Sequence, residues 1–220
     1  MFFFVVAASV GIALIRGGRA DRLASFPFRH LWLVFAAFGV QLVLHVGWFT
    51  RLAVVRAAAP YLYPSAYYLL LLCFVLNRRA PGVIWLAAGS LANLAVITLN
   101  GGKMPVDGQA LVAMGCQAWR DLFASGRSLT NTLVTQTTRL PWLADVLVGS
   151  PPFPRPTLFS AGDVLLAVGV FVLVQKTMVP DRRSRGGIRR PGRGGADRPG
   201  RPGAGASRGD GTGGGPGGRP

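Results

Sequence analysis

The sequence predicts an all-α membrane protein, a bundle of about five transmembrane helices with a long extracytoplasmic loop and a disordered tail. Half of the 220 residues are hydrophobic, and they are concentrated in long blocks that carry almost no charge. Charged residues make up 15% of the chain, against roughly 25% in typical soluble domains. Within a transmembrane domain of residues 1–178, we place the spans near residues 2–16, 31–49, 61–76, 83–99 and 159–178.

The first apolar block predicts a retained membrane anchor with its N-terminus outside. Nothing charged precedes Phe2 to Ile15, whereas Arg16, Arg19 and Arg22 follow it. A secretory signal peptide has the opposite arrangement, with positive charge before its apolar stretch. The loop 16–30, the turn near 78–79 and the C-terminal tail are rich in arginine, and positive loops stay in the cytoplasm. We therefore expect a multi-pass protein of the cytoplasmic membrane with its C-terminus inside.

The middle blocks carry a few polar residues at helical spacing. Gln41 and His45 are four residues apart, so they share a face of the second span. The third block opens with several tyrosines, which favour the lipid–water interface, and we therefore place a membrane boundary there. Asn93 lies inside the fourth block and Asn100 at its end.

Residues 101–158 form the predicted extracytoplasmic loop. A stripe of apolar residues predicts a short amphipathic helix near 109–123, too polar to span and suited to lie on the membrane surface or over the bundle. The proline-rich stretch at 150–156 excludes a helix there.

Residues 180–220 predict a disordered cytoplasmic tail of arginine, glycine and proline. Between 181 and 220 the chain has ten Arg and three Asp. Such a segment buries too little apolar surface to offset the entropy of ordering. Anionic lipid headgroups are its expected partner, beside the bilayer itself. Nucleic acid is disfavoured because no aromatic residue follows Phe171 to stack on bases.

Four segments in order carry a resemblance to a known family: RGGR at 16–19, NGGKMPV at 100–106, TRLPWLADV at 138–146 and LFSAGDVLLAVGVFVL at 158–173. The chain resembles a family of bacterial membrane proteins designated domain of unknown function 5317. The resemblance covers residues 1 to about 178 and leaves out the tail. It implies a multi-span membrane protein and brings no activity, substrate or catalytic residue.

The segment after the fourth span offers two candidate ligand or ion residues, Asn100 and Lys103. Glycines after Asn100 and a proline soon after Lys103 are typical of a helix C-terminus, where a lysine also suits the helix dipole. The alternative is a re-entrant loop that lines a cavity, with Lys103 facing an anionic group.

Three further candidates are Asn93, Asp145 and Asp163. Ser160 and Asp163 have the spacing of a helix-capping box, and Asp163 could instead pair with Lys103 or bind a cation beside Asn100. Asp145 either ties a loop or pairs with Arg139 or Lys103. Asn93 either bonds a neighbouring helix or lines a cavity.

Three functions follow from these alternatives. A non-enzymatic structural or accessory membrane protein comes first, because no span contains an acidic residue deep in the membrane. A small-solute or ion transporter or channel subunit, as a homo-oligomer or part of a membrane complex, comes second and requires Asn93, Asn100, Lys103 and Asp163 to converge. A membrane-interface enzyme comes last. We assign no catalytic residue, metal ligand or cofactor, since the cysteines and histidines have no motif spacing.

Overall fold

The computed structural model describes residues 2–149 and 157–179, and this part of the chain is mostly helical. The helices are α1 (Phe2–Ile15), α2 (Ala20–Ala24), α3 (Trp32–His45), α4 (Gly47–Thr50), α5 (Ala53–Leu76), α6 (Val83–Leu99), α7 (Gly108–Ala113), α8 (Gln117–Ala124) and α9 (Ala161–Met178). The strands are β1 (Met104–Val106), β2 (Asn131–Leu133), β3 (Leu147–Gly149) and β4 (Thr157–Phe159).

The five longer helices run alternately in opposite directions. The chain leaving α1 meets the end of α9, because Arg19 donates its amide to the carbonyl oxygen of Met178 at 3.1 Å. The chain entering α3 meets the end of α5, where the Arg29 amide donates to Asn77 Oδ1 at 2.8 Å. We call this end of the bundle, residues 16–31 and 77–82, the basic end.

Glycine brings α6 and α9 into close contact along their length. A Cβ on Gly89 would overlap the carbonyl oxygen of Gly162, and one on Gly82 would overlap that of Gly169. Gly82 also has a φ of +78°, which side chains other than glycine rarely adopt. Because no side chain separates the backbones at these points, groups near Gly162 can reach across to α6.

Two helix boundaries differ from those expected from the sequence. The helix of the third predicted span, α5, begins at Ala53, well before residue 61, and continues through Pro60 and Pro64. The second apolar block bends at Val46, which separates α3 from α4. Two of the described helices, α5 and α9, are long and apolar enough to cross a membrane, and α1, α3 and α6 are apolar but shorter.

Residues 100–149, which we call the connecting segment, contain β1, β2 and β3, strands that the all-α prediction omitted. β1 pairs with β2 in parallel, and β3 pairs antiparallel with β4, which lies just before α9. The single amphipathic helix expected near 109–123 is instead two helices, α7 and α8, separated at Gly115, whose φ is +74°. They pack through a small core around Val106, Leu111 and Phe123.

Two sequence predictions concern residues outside the described part of the chain. These are the disordered tail at 180–220 and the non-helical proline-rich stretch at 150–156.

Candidate functional site

Six polar side chains gather where α6 ends and α9 begins, beneath the connecting segment. We call this group the polar cluster. Its members are Tyr63, Tyr67, Asn93, Asp145, Ser160 and Asp163. They come from α5, α6, the connecting segment and the start of α9. The cluster therefore forms only when all four parts of the chain are assembled.

Asn93, Ser160 and Asp163 form a closed hydrogen-bond network. Asn93 donates from Nδ2 to Asp163 Oδ1 at 3.0 Å and accepts at Oδ1 from the Ser160 hydroxyl at 2.9 Å. The Ser160 side chain also accepts from the Asp163 amide, and Asp163 Oδ2 accepts from the Ser160 amide. The predicted capping box at the start of α9 is thus confirmed, as is the interhelical hydrogen bond of Asn93.

Close backbone packing makes room for this network. Asn93 and Ser160 are 1% and 0% exposed, so their polar atoms depend on protein partners. A Cβ on Gly162 would overlap the amide oxygen of Asn93. A glycine at this position therefore lets the Asn93 amide lie against the first turn of α9.

Asp145 reaches the cluster from the connecting segment. Its amide donates to the carbonyl oxygen of Pro105 at 2.9 Å, and its own carbonyl accepts from the Asp107 amide at 3.1 Å. These bonds extend the β1 ladder and fix the Asp145 backbone. Its Oδ1 atom is buried with no hydrogen-bond partner among the described residues.

Burial and the nearby Asp163 carboxylate raise the pKa of Asp145 to about 8. The carboxylate of Asp163 already accepts hydrogen bonds from the Ser160 amide and from Asn93. The Asp145 carboxyl therefore favours its protonated form near neutral pH.

Tyr63 and Tyr67 supply the α5 wall of the cluster. They are four residues apart, both 8% exposed, and their rings meet edge to face with centroids 5.8 Å apart. Both phenols lie within electrostatic range of Asp145 and Asp163. The sequence analysis used the tyrosines only as a boundary marker and missed this role, although the four-residue spacing places these two on one helix face.

Asn100 and Lys103 lie apart from the cluster. Asn100 ends α6, where its Nδ2 donates to the carbonyl oxygens of Val96 and Arg139 and its Oδ1 accepts from the Arg139 amide. Lys103 donates from Nζ to the carbonyl oxygen of Gly126 at 3.3 Å, and partial burial lowers the pKa of its ammonium group. Neither residue forms an ion pair with Asp145 or Asp163 in the described part of the chain.

A transporter would require Asn93, Asn100, Lys103 and Asp163 to converge, and in the described part of the chain no hydrogen bond or ion pair joins Asn100 or Lys103 to Asn93 or Asp163. The structure instead brings together Asn93, Asp145 and Asp163, and it uses Asn100 to tie the end of α6 to the connecting segment. Pairing of Asp145 with Arg139 or Lys103 is also absent among the described ion pairs. The Asn100 side chain is already fully engaged by backbone groups of Val96 and Arg139.

The polar cluster combines a buried carboxyl that favours its protonated form, Asp145, with the hydrogen-bonded carboxyl group of Asp163. Within residues 2–149 and 157–179, no group of three or more His, Cys, Asp or Glu side chains is placed to hold a metal ion. The phenol and amide groups around the carboxyls are hydrogen-bonding groups that suit a proton or a small polar ligand.

Comparison with known proteins places the chain in a family. The model of the family of unknown function DUF5317 matches residues 25–175, from the loop before α3 to the last turn of α9. The chain belongs to this family. An uncharacterized protein of Thermotoga maritima is 32% identical over 111 residues, which are 50% of this chain and 61% of that protein. The chain thus spans less than two thirds of the relative's length, and no solved structure matches it.

Proposed function

We propose that this chain is a multi-pass protein of the bacterial cytoplasmic membrane and acts there as a non-enzymatic structural or accessory component. The observation that carries the proposal is a row of large apolar side chains along the outer face of α3, each between 53% and 68% exposed. The row consists of Trp32, Phe35, Phe38 and Leu42. Soluble monomers rarely expose contiguous apolar surface on this scale. Lipid chains would cover it.

The outer faces of α5 and α6 support the same proposal. Tyr61, Leu72 and Val75 are exposed on α5, and Ile84 and Leu91 on α6, with exposures from 49% to 80%. Exposed apolar faces on neighbouring helices make a belt around the bundle. Such a belt fits a bilayer and is a liability in water.

The lengths of α1 and α3 are compatible with crossing. Each has 14 residues, fewer than the about 20 that span a bilayer. The chain after α3 remains apolar through Phe49, and α1 is followed by Arg16, whose long stem lets its charge reach the interface. We therefore propose five crossings: α1, α3, α5, α6 and α9.

The orientation follows from the positive charge at the basic end. The loop from Arg16 to His30 carries four arginines, and the α5–α6 turn carries Arg78 and Arg79. At the opposite end of the bundle, Arg51 lies in the short loop before α5 and Arg56 in the first turn of α5. Since short loops rich in arginine stay in the cytoplasm, we propose that the N-terminus lies outside and the C-terminus inside.

An accessory role fits the use made of the polar residues. Asn100 bonds only backbone groups of the loop and its own helix, and Asn93 bonds Ser160 and Asp163. Hydrogen bonds of this kind hold a fold together without a substrate. A partner membrane protein, or a second copy of this chain, would then contact the lipid-facing helices.

Extraction of membranes at alkaline pH tests the proposed location. We expect the full chain to stay in the membrane pellet through carbonate treatment and to dissolve in detergent. A variant truncated after residue 178 is the control, because it removes attachment through the arginine-rich tail. Release of either chain by carbonate without detergent would contradict the proposal.

A second candidate, a subunit of an ion or small-solute transporter, is favoured by the partnerless Oδ1 atom of Asp145 beside Asp163. It predicts proton or sodium flux in liposomes containing the purified chain, and loss of that flux in Asp163→Asn. Five helices make a thin pathway, so crosslinking should also reveal a homo-oligomer. Liposomes without flux above the lipid background would favour the accessory role.

A further inference from the structure

A cleft lies at the basic end, on the opposite side of the bundle from the polar cluster. It has a volume of about 480 Å³ and lies between the loop before α3 and the turn between α5 and α6. Its lining combines the arginines Arg29, Arg78 and Arg79 with the apolar residues Phe26, Leu76 and Pro81. The cleft therefore offers both positive charge and an apolar wall.

The two walls of the cleft are held together by Asn77. Its Oδ1 accepts from the Arg29 amide at 2.8 Å, and its Nδ2 donates to the carbonyl oxygens of Arg29 and Cys73, each at 2.8 Å. Asn77 is only 7% exposed, so this connection is protected from water. The loop is thus fixed against the end of α5 before any ligand binds.

The three arginines of the cleft are exposed and have no charged partner in residues 2–149 and 157–179. Two other arginines do have charged partners, since Arg19 pairs with Asp21 and Arg120 with Asp121. Within the same described residues, the guanidinium groups of the cleft also form no hydrogen bonds. Three uncompensated guanidinium groups around one cleft attract an anion that can accept several hydrogen bonds.

The apolar residues around the cleft favour an anion that carries apolar chains. Leu76 in the lining is exposed, as are Leu31 and Trp32 at the start of α3 and Val75 at the end of α5, which lie within three residues of lining residues in the sequence. A free phosphate would leave these side chains uncovered. A phospholipid places its phosphate at the guanidinium groups and its acyl chains along the same helices.

We infer that the cleft formed by Arg29, Arg78 and Arg79 binds the phosphate group of an anionic phospholipid at the inner face of the membrane. The inference rests on the proposed membrane location and adds a defined lipid site to it. This site is separate from the arginine-rich tail, whose attraction to headgroups requires no cleft. A bound lipid would hold the loop before α3 and the α5–α6 turn as one surface.

The test uses the full chain purified in a neutral detergent and titrated with phosphatidylglycerol, phosphatidylcholine or glycerol phosphate. We expect phosphatidylglycerol to raise the melting temperature in a saturable manner, and the other two to have little effect. In Arg78→Gln/Arg79→Gln the half-saturating lipid concentration should rise about fivefold for each arginine lost. The lysine variant Arg78→Lys/Arg79→Lys keeps the positive charge but loses the planar set of guanidinium donors. Its half-saturating lipid concentration should lie between those of the unchanged chain and the glutamine variant.

Arg51→Gln/Arg56→Gln is the matched control, because it removes two exposed arginines from the opposite end and leaves the tail intact. An equal loss of affinity in this control would overturn the inference in favour of general charge attraction. Full stabilisation by glycerol phosphate would overturn the lipid assignment in favour of a soluble phosphate. Failure of the membrane proposal is seen separately, as a chain that is soluble before any detergent is added.

Discussion

Asn93 on α6 and Asp163 on α9 are joined across the helix interface by a hydrogen bond of 3.0 Å from Nδ2 to Oδ1. Asp163 simultaneously caps its own helix through the Ser160 amide. One carboxylate therefore fixes both the start of α9 and its position against α6. The stability of this end of the bundle depends on that double role.

Removing either partner should destabilise the protein. We expect Asn93→Ala and Asp163→Ala each to lower the free energy of unfolding by about 1–3 kcal/mol, because a buried polar group loses its partner. The double variant should cost less than the sum of the two, as expected for residues in contact. Thermal or denaturant unfolding in detergent measures this.

Asp121→Ala is the matched control for these variants. Asp121 is exposed and pairs only with Arg120 on the surface, so its loss should change stability by less than about 1 kcal/mol. Strict additivity of Asn93→Ala and Asp163→Ala would contradict a direct bond between the two side chains.

Stability should fall as pH rises from about 4 to about 8, because of Asp145. Burial in the fold raises the pKa of this carboxyl from its ordinary value of 3.8 to about 8. Between these values the folded protein holds a proton that the unfolded chain has released, so each pH unit costs up to about 1.4 kcal/mol. Below the lower value both states are protonated and the slope disappears.

Melting temperatures of the wild type and Asp145→Asn between pH 5 and pH 8 test this dependence. The asparagine variant cannot ionise, so its curve should be flatter and should lie above the wild type at pH 8. Asp121→Asn should retain the slope of the wild type. The same slope in all three proteins would show that Asp145 is not its source.

Gly162→Ala should destabilise the α6–α9 interface. The added Cβ would overlap the Asn93 amide oxygen, so the helices must separate or the network must break. Overpacking of this kind costs about 1–3 kcal/mol. The measurement is again unfolding in detergent, and loss of the Asn93–Asp163 bond should make Asn93→Ala nearly silent in this background.

Gly39→Ala is the control for the glycine variant. A Cβ on Gly39 in α3 would meet no atom within 4 Å, so the change should be neutral or stabilising, since alanine favours helix over glycine by up to about 1 kcal/mol. Equal destabilisation by Gly39→Ala would show that glycine content, and not the close contact, governs stability.

Local patterns were enough to predict part of the polar cluster. The Ser-x-x-Asp spacing before an apolar run predicted the capping box at Ser160 and Asp163, because both bonds close within one turn. A lone asparagine inside an apolar helix predicted the interhelical bond of Asn93. Family resemblance, carried by segments such as NGGKMPV, agreed with the family match over residues 25–175.

The remaining members of the cluster depend on contacts distant in sequence. Asp145 reaches Asp163 only because its backbone joins the β1 ladder at Val106, and short strands inside a polar loop leave little periodic signal. Tyr63 and Tyr67 were interpreted as markers of a membrane boundary, because tyrosine favours the lipid–water interface, whereas α5 already begins at Ala53 and buries both side chains. Proline usually breaks a helix, yet α5 continues through Pro60 and Pro64.

Pro64 also explains a contact that the sequence could not predict. Because Pro64 has no amide hydrogen, the carbonyl of Pro60 one turn earlier lacks its usual helical partner. Gly102 packs against that carbonyl so closely that a Cβ there would overlap it. The connecting segment therefore contacts α5 at a break in its hydrogen-bond ladder.

The most direct test of the proposed five-crossing arrangement is labelling with a membrane-impermeant maleimide in intact spheroplasts. Cys73→Ala/Cys116→Ser provides the background. Ala24→Cys reports on the basic end and Ala124→Cys on the connecting segment, and both positions are exposed. We predict labelling of Ala124→Cys in intact spheroplasts and of Ala24→Cys only after permeabilisation. Labelling of both sites, or of neither, before permeabilisation would contradict a bundle whose two ends face opposite sides of the membrane.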